Sequence, residues 1–537
     1  MNLTVFIIVL VIYLIATILL GYLGWRRTKN ASDYMVGGRR THPYVMAISY
    51  GATFISTSAI VGFGGQAANL GMGLLWLAFL NILLGILIAF IFFGKKTRLI
   101  GHNLDAHTFP ELLGKRYGSR AIQRIGGLVV FVFMPMYTGA VLIGAARFIE
   151  KSLQIQFVWA LLIYTVIIAA YVFAGGIKGV MYTDTLQGTI MLGGMAALLI
   201  LTYVKLGGFI SAHQALTDLA AKMPEALVKG GGQGWTTMPV LGSPIWWTIV
   251  SAVVLGVGIG VLAQPQLAVR FMMVKSNREL NRGVLIGGIF ILMMTGVAFV
   301  VGGLSNVYFF REAGKIAVEV VEKGNVDLII PAYINAAMPH WFVYLFMITL
   351  LAAAMSTSSG QLHAMGTAFG RDIFSRSRYT ADYKEERTTR GVISSRVGVL
   401  IGVLVSFVLG YYLPVSVVAR ATSLFFGICA ATFLPMYILG LFWKRANRAG
   451  AMAGMITGIV SSLFWILFVH EANSKIFGIV NAINGQTSLL PAPWKSMDSI
   501  VIAFPLAFII TIIVTLCTKP MPGEMVESAF KKEVQEA

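Results

Sequence analysis

Long apolar runs separated by short polar segments extend over almost the whole chain. Residues 73–94, for instance, contain no charged side chain. A helix of about 20 apolar residues is long enough to cross a hydrocarbon core of about 30 Å. The pattern predicts about thirteen such spans, which we number in chain order. Their predicted limits are 3–24, 44–70, 73–94, 126–149, 156–174, 178–204, 245–271, 284–305, 341–374, 394–412, 414–442, 450–470 and 498–517.

Composition agrees with a membrane protein. The 537 residues are 57% hydrophobic and 12% charged, and the mean hydropathy is +0.80, whereas about a quarter of the residues in soluble proteins are charged. The segment KGGGQGW, residues 229–235, lacks the Lys-Ser/Thr ending of a phosphate-binding loop. We therefore predict an all-α polytopic protein that contacts the lipid bilayer and does not use ATP directly.

The basic residues indicate how the chain is oriented. The net charge of +19 could suggest a nucleic-acid partner, but the Lys and Arg residues are concentrated in alternate loops, as the cytoplasmic loops of membrane proteins are. We therefore expect no nucleic acid, a plasma (inner) membrane location, an N-terminus outside and a C-terminus in the cytoplasm. The basic residues of these alternate loops are Arg26, Arg27, Lys29, Arg39 and Arg40 after span 1; Lys95, Lys96, Arg98, Lys115, Arg116, Arg120 and Arg124 after span 3; Lys275, Arg278 and Arg282 after span 7; Arg376, Arg378, Lys384, Arg387 and Arg390 after span 9; and Lys444, Arg445 and Arg448 after span 11.

Two spans are interrupted by residues that break helices. Span 2, GATFISTSAIVGFGGQAANLG, combines hydroxyl side chains with several glycines, and span 7 contains three glycines followed by Gln264-Pro265-Gln266. Backbone groups freed at membrane depth must bond to protein, water or a ligand. The interruptions could be packing kinks. Two of them lying five spans apart, however, match inverted-repeat transporters, in which broken helices form a site near the middle of the membrane.

A stripe of small hydroxyl residues interrupts span 9. Ala353, Ser356 and Thr357 share one helical face, and Ser359 and Gly360 extend it. Close helix packing is one interpretation. The other is a site for a hard cation such as sodium, because hydroxyls and freed backbone carbonyls supply oxygen ligands without burying full charges.

Span 6 contains a carboxylate, Asp184, about two turns from its predicted cytoplasmic end. Intramembrane carboxylates are costly to bury, so they indicate ion or substrate handling by default. The alternative is that Asp184 only pairs with Lys178 or reaches into an inner vestibule. His363, just after the alcohol stripe, is either a proton site or a residue of that vestibule.

An ordered set of motifs resembles the sodium:solute symporters, a family that includes proline, pantothenate, monocarboxylate, sialic acid and sugar carriers. The motifs cover most of the chain. They are DYMVGGRR before span 2, Ala-x-x-Ile-Ser within it, AARFIE ending span 4, GGIKGVMYTDTLQG opening span 6, AQPQLAVRFM in span 7, AAAMSTSSGQL in span 9 and LGLFWKRANRAGAMAG joining spans 11 and 12.

The resemblance implies a five-plus-five inverted-repeat core of the leucine-transporter type with an extra N-terminal helix. The implied divisions are 1–43 for the N-terminal helix and its cytoplasmic loop, 44–204 for the first repeat, 205–244 for an extracellular loop, 245–442 for the second repeat, 443–517 for the last two spans and 518–537 for the cytoplasmic tail. The resemblance also implies a sodium site. Its ligands would be the backbone carbonyls of Ala52, Ile55 and Ala353 and the hydroxyls of Ser356 and Thr357.

Some members of the family hold a second sodium, which here would use Asp184, Ser356 and Ser359. Because Gly360 stands where those members often have another serine, we expect one coupled sodium. The substrate candidates that the resemblance implies lie on spans 2, 3, 4 and 7. They are Phe54, Ser56, Gln66, Asn81, Tyr137, Gln264 and Gln266.

Four positions bear on the substrate class. Tyr137 resembles the substrate tyrosine of the proline carriers, but Val257 and Val261 replace large aromatic residues of those carriers, which disfavours proline. Arg420, near the outer end of span 11, either pairs with a carboxylate substrate or extends its head group to the membrane surface.

These observations predict a secondary active symporter, not an enzyme, that imports a small organic solute together with sodium by alternating access. A monocarboxylate or pantothenate-like acid is the expected solute, and no cofactor is expected besides sodium as the coupling ion. The alternatives are a proton-coupled or proline-like amino-acid symporter, an ion channel and a solute sensor. The sequence leaves the oligomeric state open.

Overall fold

The computed structural model describes residues 3–374, 386–414 and 416–531. Its membrane-spanning elements follow the predicted order, and we label them α1 to α13. Their bounds are α1 Leu3–Arg27, α2a Pro43–Phe54 with α2b Ser58–Leu70, α3 Met72–Asn103, α4 Arg120–Leu153, α5 157–175, α6 Gly176–Leu206, α7a Pro244–Ala263 with α7b Pro265–Phe271, α8 Asn277–Ala313, α9 His340–Ile373, α10 Glu386–Tyr412, α11 Val418–Phe442, α12 Arg448–Val469 and α13 Ile500–Cys517.

By length and apolarity, eleven of the described helices could cross a membrane, and the bent pair α2a–α2b adds a twelfth span. The apolar part of α5, Phe157–Ala169, is shorter than a normal span, but α5 fills the predicted fifth position. Shorter helices lie in the loops and the tail. They are Ala31–Val36, Phe109–Arg116, Phe209–Asp218, Glu225–Lys229, Ala317–Val320, Ile329–Ala337, Glu471–Phe477, Ile479–Asn484 and Gly523–Phe530.

The predicted interruption of span 2 is confirmed. Helix α2a ends at Phe54, Ile55 turns into an extended conformation (φ −90°, ψ 104°), and α2b continues at an angle of 51°. The Ser58 N–H donates to the Ser56 Oγ at 3.0 Å. Such local side-chain bonds give the backbone an alternative to the helix, so the hydroxyl cluster accounts for the break.

The predicted interruption of span 7 is also confirmed, and it lies at Gln264 (φ −74°, ψ 118°). A residue that precedes proline is disfavoured in the helical region by contact with the proline ring. Pro265 then occupies the first position of α7b, where its missing N–H costs nothing.

Burial separates the central helices from the peripheral ones. The most apolar windows of α9 and α11 are each 89% buried, whereas that of α1 is 22% buried. Helix α1 therefore packs on the outside of the bundle. The junction of α5 and α6 depends on Gly176, which has a positive φ of 57° and leaves no room for a Cβ beside Tyr34.

Candidate functional site

The hydroxyls of α9 bond to the broken end of α2a. Ser356 Oγ donates to the Ala52 carbonyl at 2.7 Å, and Thr357 Oγ1 donates to the same oxygen at 3.3 Å. Ser356 Oγ also lies 3.2 Å from the Ala353 carbonyl. The Ala52 carbonyl is available because the helix ends before the residue that would normally bond to it.

Four of the five predicted sodium ligands are thus in mutual contact, and Ile55 follows directly after the end of α2a. Among the described residues, the hydroxyls of Ser356 and Thr357 bond only to neutral carbonyl oxygens. All five residues are buried. This cluster of neutral oxygen atoms, which we call the alcohol–carbonyl cluster, suits a small hard cation.

A second polar cluster lies beside the first and contains an arginine that the sequence did not single out. Asp184 Oδ2 accepts hydrogen bonds from Ser49 Oγ at 2.6 Å, Thr53 Oγ1 at 3.2 Å and Arg270 Nη2 at 3.1 Å. Both charged side chains are completely buried. Arg270 also donates to the Gln266 carbonyl, to Ser49 Oγ at 3.1 Å and to Thr53 Oγ1 at 2.5 Å. We call this set the ion-pair cluster.

The ion-pair cluster bears on the possible second cation site. The alternative that Asp184 pairs with Lys178 is wrong, because Lys178 bonds to Asp33 at 2.5 Å. Ser359 Oγ donates to the Ser356 carbonyl of its own helix at 2.9 Å. The guanidinium of Arg270 therefore supplies the positive charge that a second cation would have given Asp184.

Gly360 lies against the same cluster. A Cβ at this position would stand 2.7 Å from Thr53 Cγ2 and 3.4 Å from Arg270 Nη2. The glycine consequently leaves the space that the guanidinium and Thr53 occupy. The sequence signal for Arg270 was a charged residue within the apolar run after Pro265, and its partner lies 86 residues away.

A small cavity lies next to the break of α2. It is enclosed mostly by apolar and aromatic side chains, together with four neutral polar ones, and none of its lining residues is charged. The lining residues are Phe54, Ile55, Ser56, Ala59, Phe63, Leu77, Asn81, Tyr137, Val257, Thr295, Phe299, Thr422 and Phe426. The predicted candidates Phe54, Ser56, Asn81 and Tyr137 are brought together here.

Asn81 is the polar group of the cavity that lacks a partner. It is 2% exposed, and its Oδ1 has no hydrogen-bond partner among the described residues. The hydroxyls of Thr295 and Thr422 are used by carbonyls of their own helices, at 2.8 and 2.9 Å. A buried amide without a partner is costly, so Asn81 is suited to bind a polar group of a solute.

The remaining substrate candidates lie elsewhere. Gln264 and Gln266 bond to each other at 3.3 Å at the break of α7, and neither lines this cavity, nor does Gln66. Arg420 is exposed on the predicted outer side, where its Nη1 contacts the Ala472 carbonyl at 3.4 Å. In this conformation its position therefore agrees with the surface interpretation.

A second cavity lies on the predicted cytoplasmic side of the break in α7. Gln266, Arg270, Gly360, His363 and Asp372 are among its lining residues. His363 therefore faces an inner vestibule, as one of the two interpretations of the sequence proposed.

An ion pair lies next to the second cavity, because His107, which lines the cavity, contacts Arg371 Nη2 at 3.1 Å. Arg371 binds both carboxylate oxygens of Glu111, at 2.7 and 2.9 Å. Burial opposes ionisation of Glu111, but Arg371 and Lys115 outweigh it and hold the pKa of the carboxyl below its ordinary range. The ion pair is consequently held by charge-assisted hydrogen bonds.

Comparison with known proteins gives a consistent result. The model of the sodium:solute symporter family matches residues 34–458. A sodium/proline symporter of Staphylococcus saprophyticus is 28% identical over 489 residues, which are 89% of each chain. A sodium/pantothenate symporter of Haemophilus influenzae is 29% identical over 472 residues, 86% of this chain and 91% of the relative.

A solved structure shows the same fold. A sodium-coupled sialic acid symporter in a substrate-bound outward-open state aligns with a TM-score of 0.74 at 20% sequence identity, over 96% of this chain and 98% of the other. This likeness confirms the predicted inverted-repeat fold of the leucine-transporter type.

Proposed function

This chain belongs to the sodium:solute symporter family, and from that premise we propose that it imports a small monocarboxylate together with one sodium ion. The sodium would bind the alcohol–carbonyl cluster through the carbonyls of Ala52, Ile55 and Ala353 and the hydroxyls of Ser356 and Thr357. The observation on which this proposal depends is the contact of Ser356 Oγ with the Ala52 carbonyl at 2.7 Å.

That contact joins the two elements whose separation would change during transport. Helix α2 is broken at the site, and α9 is one of the most buried helices. A cation held by oxygen atoms of both elements favours the arrangement in which they are close. Because the same break lines the solute cavity, sodium and solute would each favour the geometry that the other needs, which is the basis of coupling.

The cavity favours a solute with a largely apolar body and few polar groups. A sugar would require many hydrogen bonds, but Asn81 is the polar side chain with spare capacity. The relatives named above transport proline and pantothenate, and both of those solutes have one carboxylate. A single negative charge can be balanced here by the sodium ion and by the N-terminal end of α2b, since a helix N-terminus favours anions.

The transport cycle follows from these contacts. Sodium entering from the outside would bridge α2 and α9, the solute would fill the cavity, and closure on the outer side would precede opening of the inner vestibule. With the N-terminus outside, as the basic loops predict, the membrane potential adds about 2.3 kcal/mol per charge per 100 mV to uptake of the cation.

The proposal is tested by uptake into proteoliposomes under an imposed sodium gradient. The solute panel comprises short monocarboxylates, pantothenate, amino acids and sugars. We expect uptake of a monocarboxylate that stops when sodium is replaced by choline. Equal uptake without sodium would contradict sodium coupling and favour the proton-coupled alternative. Proline has a cationic amine besides its carboxylate, so sodium-driven uptake of proline or of a sugar would retain the coupling and contradict the proposed class of acids without an amine.

A further inference from the structure

A segment of the loop between α8 and α9 covers the N-terminal end of α11. Asn325 Oδ1 accepts hydrogen bonds from the backbone N–H and the hydroxyl of Ser416, each at 3.2 Å, and the Val326 N–H donates to Ser416 Oγ at 3.2 Å. Asp327 Oδ2 accepts from the Val418 N–H at 3.4 Å. Four hydrogen bonds thus join a short loop segment to the start of another helix.

Within the described residues, the segment that leads into α11 provides no side-chain cap for this helix end. The residue at its cap position, Val417, makes no side-chain hydrogen bond to the helix, and the first N–H groups of any helix need an acceptor. Asp327 provides one from a distant part of the chain. It is 2% exposed, and its Oδ1 has no partner among the residues that the structure describes.

The charge of Asp327 suits this role. Burial raises the pKa of Asp327 to about 6, although the N–H groups at the start of α11 and the guanidinium groups of Arg147 and Arg420 oppose that shift. The carboxyl is therefore mostly ionised at neutral pH, and a helix N-terminus favours an anion.

The capped end of α11 is connected to the solute cavity. The Val418 carbonyl accepts a hydrogen bond from Thr422 Oγ1 at 2.9 Å, and Thr422 lines the cavity, as does Phe426 one turn further on. The first turn of α11 therefore has Asp327 on one side and the cavity wall on the other.

The same loop segment also rests on α2b. A Cβ at Gly65 would lie 2.1 Å from the Val326 carbonyl, and one at Gly62 would lie 2.8 Å from Val418 Cγ1. Both glycines permit backbone-to-backbone approach on the half-helix that lines the cavity with Ala59 and Phe63. Any larger residue at position 65 would prevent the loop from reaching this position.

We propose that Asp327 is a positioning residue of the transport reaction: it caps α11 from the loop when that loop closes over the cavity on the outer side. The residues 325–328, which we call the latch, would then release the N-terminus of α11 and uncover α2b when the cavity opens outward. This inference rests on the proposed transport function, because it assumes that the cavity opens alternately to the two sides.

The latch is tested by the outward accessibility of the cavity. Of the two cysteines, Cys517 is exposed and Cys429 is buried, so the reporter is Ala59→Cys in a Cys517→Ser background. Its labelling rate by a membrane-impermeant methanethiosulfonate is measured in right-side-out vesicles in choline and in sodium. A hydrogen bond to a charged group corresponds to about tenfold to hundredfold in an equilibrium, so Asp327→Ala should raise the rate at least about tenfold.

Two further variants separate positioning from folding. Asp327→Asn keeps an acceptor oxygen, so its rate should remain within about threefold of the parent. Gly65→Ala should raise the rate as Asp327→Ala does, because its methyl group excludes the latch. Gly288→Ala is the matched control on α8, where a Cβ meets nothing within 4 Å, and its rate should be unchanged. Melting temperatures are measured for every variant.

An unchanged labelling rate in both Asp327→Ala and Gly65→Ala would overturn the latch, and so would equal effects of Asp327→Asn and Asp327→Ala. If Asp327→Ala does not fold, Gly65→Ala against Gly288→Ala decides the question. A sodium-independent transporter with a latch that responds as expected would contradict the proposed coupling while leaving the latch intact, so the two failures are distinguishable.

Discussion

Two polar clusters lie side by side in the apolar core, and they differ in where positive charge comes from. In the ion-pair cluster, Asp184 is a full negative charge and Arg270 is a full positive charge, at 3.1 Å and completely buried. Ser49 and Thr53 bond to Asp184 Oδ2 and to the guanidinium of Arg270, whereas Asp184 Oδ1 has no hydrogen-bond partner among the described residues. Both charges of this cluster are thus supplied by protein side chains.

The alcohol–carbonyl cluster has no charge of its own. Its oxygen atoms belong to Ala52, Ala353, Ser356 and Thr357, and its partners within the described residues are neutral. Thr53 connects the two clusters, because its hydroxyl lies 3.5 Å from the Ser356 carbonyl. The comparison teaches that the intramembrane carboxylate Asp184 has a protein counter-charge, whereas the neutral oxygens beside the broken helix have none, and this difference is the reason for proposing the alcohol–carbonyl cluster as the cation site.

The largest effect is expected from Arg270→Gln. This change leaves Asp184 buried without a counter-charge, and removing one partner of a buried pair costs about 3–5 kcal/mol. We expect a strongly lowered melting temperature in detergent and loss of uptake. The double variant Asp184→Asn/Arg270→Gln should recover part of the stability, since neither charge then remains unpaired.

Arg270→Gln also tests whether the guanidinium of Arg270 keeps a second cation away from Asp184. If Arg270→Gln remains folded and its sodium dependence becomes steeper, Asp184 has become a second cation ligand. The guanidinium would then have been the group that excludes a second sodium. A melting temperature equal to that of the wild type, with unchanged transport, would contradict the ion pair as a stabilising element.

The next largest effect is expected from Ser356→Ala and Thr357→Ala. Each removes one proposed ligand, so the sodium concentration for half-maximal uptake should rise about tenfold to hundredfold while the melting temperature stays close to that of the wild type. Thr349→Ala is a matched control on α9, because the Thr349 hydroxyl bonds to the Leu345 carbonyl of its own helix. If Ser356→Ala and Thr357→Ala show the same sodium dependence as Thr349→Ala, the hydroxyls of Ser356 and Thr357 are not sodium ligands.

Gly360→Ser introduces a hydroxyl at the position where the resemblance to the family implies a ligand of a second sodium. Its Cβ would lie 2.7 Å from Thr53 Cγ2, and overpacking of this kind costs about 1–3 kcal/mol. We expect a lower melting temperature and no additional sodium. A gain of a second sodium, seen as sigmoidal sodium dependence, would show that the guanidinium of Arg270 does not block the site.

The smallest effect is expected from Arg420→Gln. Because Arg420 is exposed and does not line the cavity, the half-saturating concentration of the monocarboxylate should change by less than about threefold, as for most surface substitutions. The measurement compares the acid with its neutral amide. A selective loss of affinity for the acid would restore Arg420 to the substrate site in another conformation.

The sequence predicted the features whose cause is local. The breaks of α2 and α7 follow from the hydroxyl cluster at 56–58 and from Pro265, and the face shared by Ser356 and Thr357 follows from helical spacing. Each of these depends on neighbouring residues alone, and the structure places each of them where the pattern indicates.

The features that depend on packing between distant helices were not predictable from the pattern. Asp184 meets Arg270 only because α6 and α7b pack against α2a, and the aromatic walls contributed by Phe299 and Phe426 come from α8 and α11. For the same reason the sequence grouped Gln66, Gln264 and Gln266 with the substrate site. These glutamines were candidates that the resemblance to the family implied, and they do not line the cavity beside the break of α2.

The most direct test of the central claim is equilibrium binding of radiolabelled sodium to the purified protein without any solute, measured by scintillation proximity. We predict one sodium ion per chain in the wild type and in Thr349→Ala, and loss of that binding in Ser356→Ala and Thr357→Ala with the melting temperature retained. Ser359→Ala should still bind sodium, because the hydroxyl of Ser359 bonds to its own helix. Undiminished binding in Ser356→Ala and Thr357→Ala would contradict the alcohol–carbonyl cluster as the sodium site.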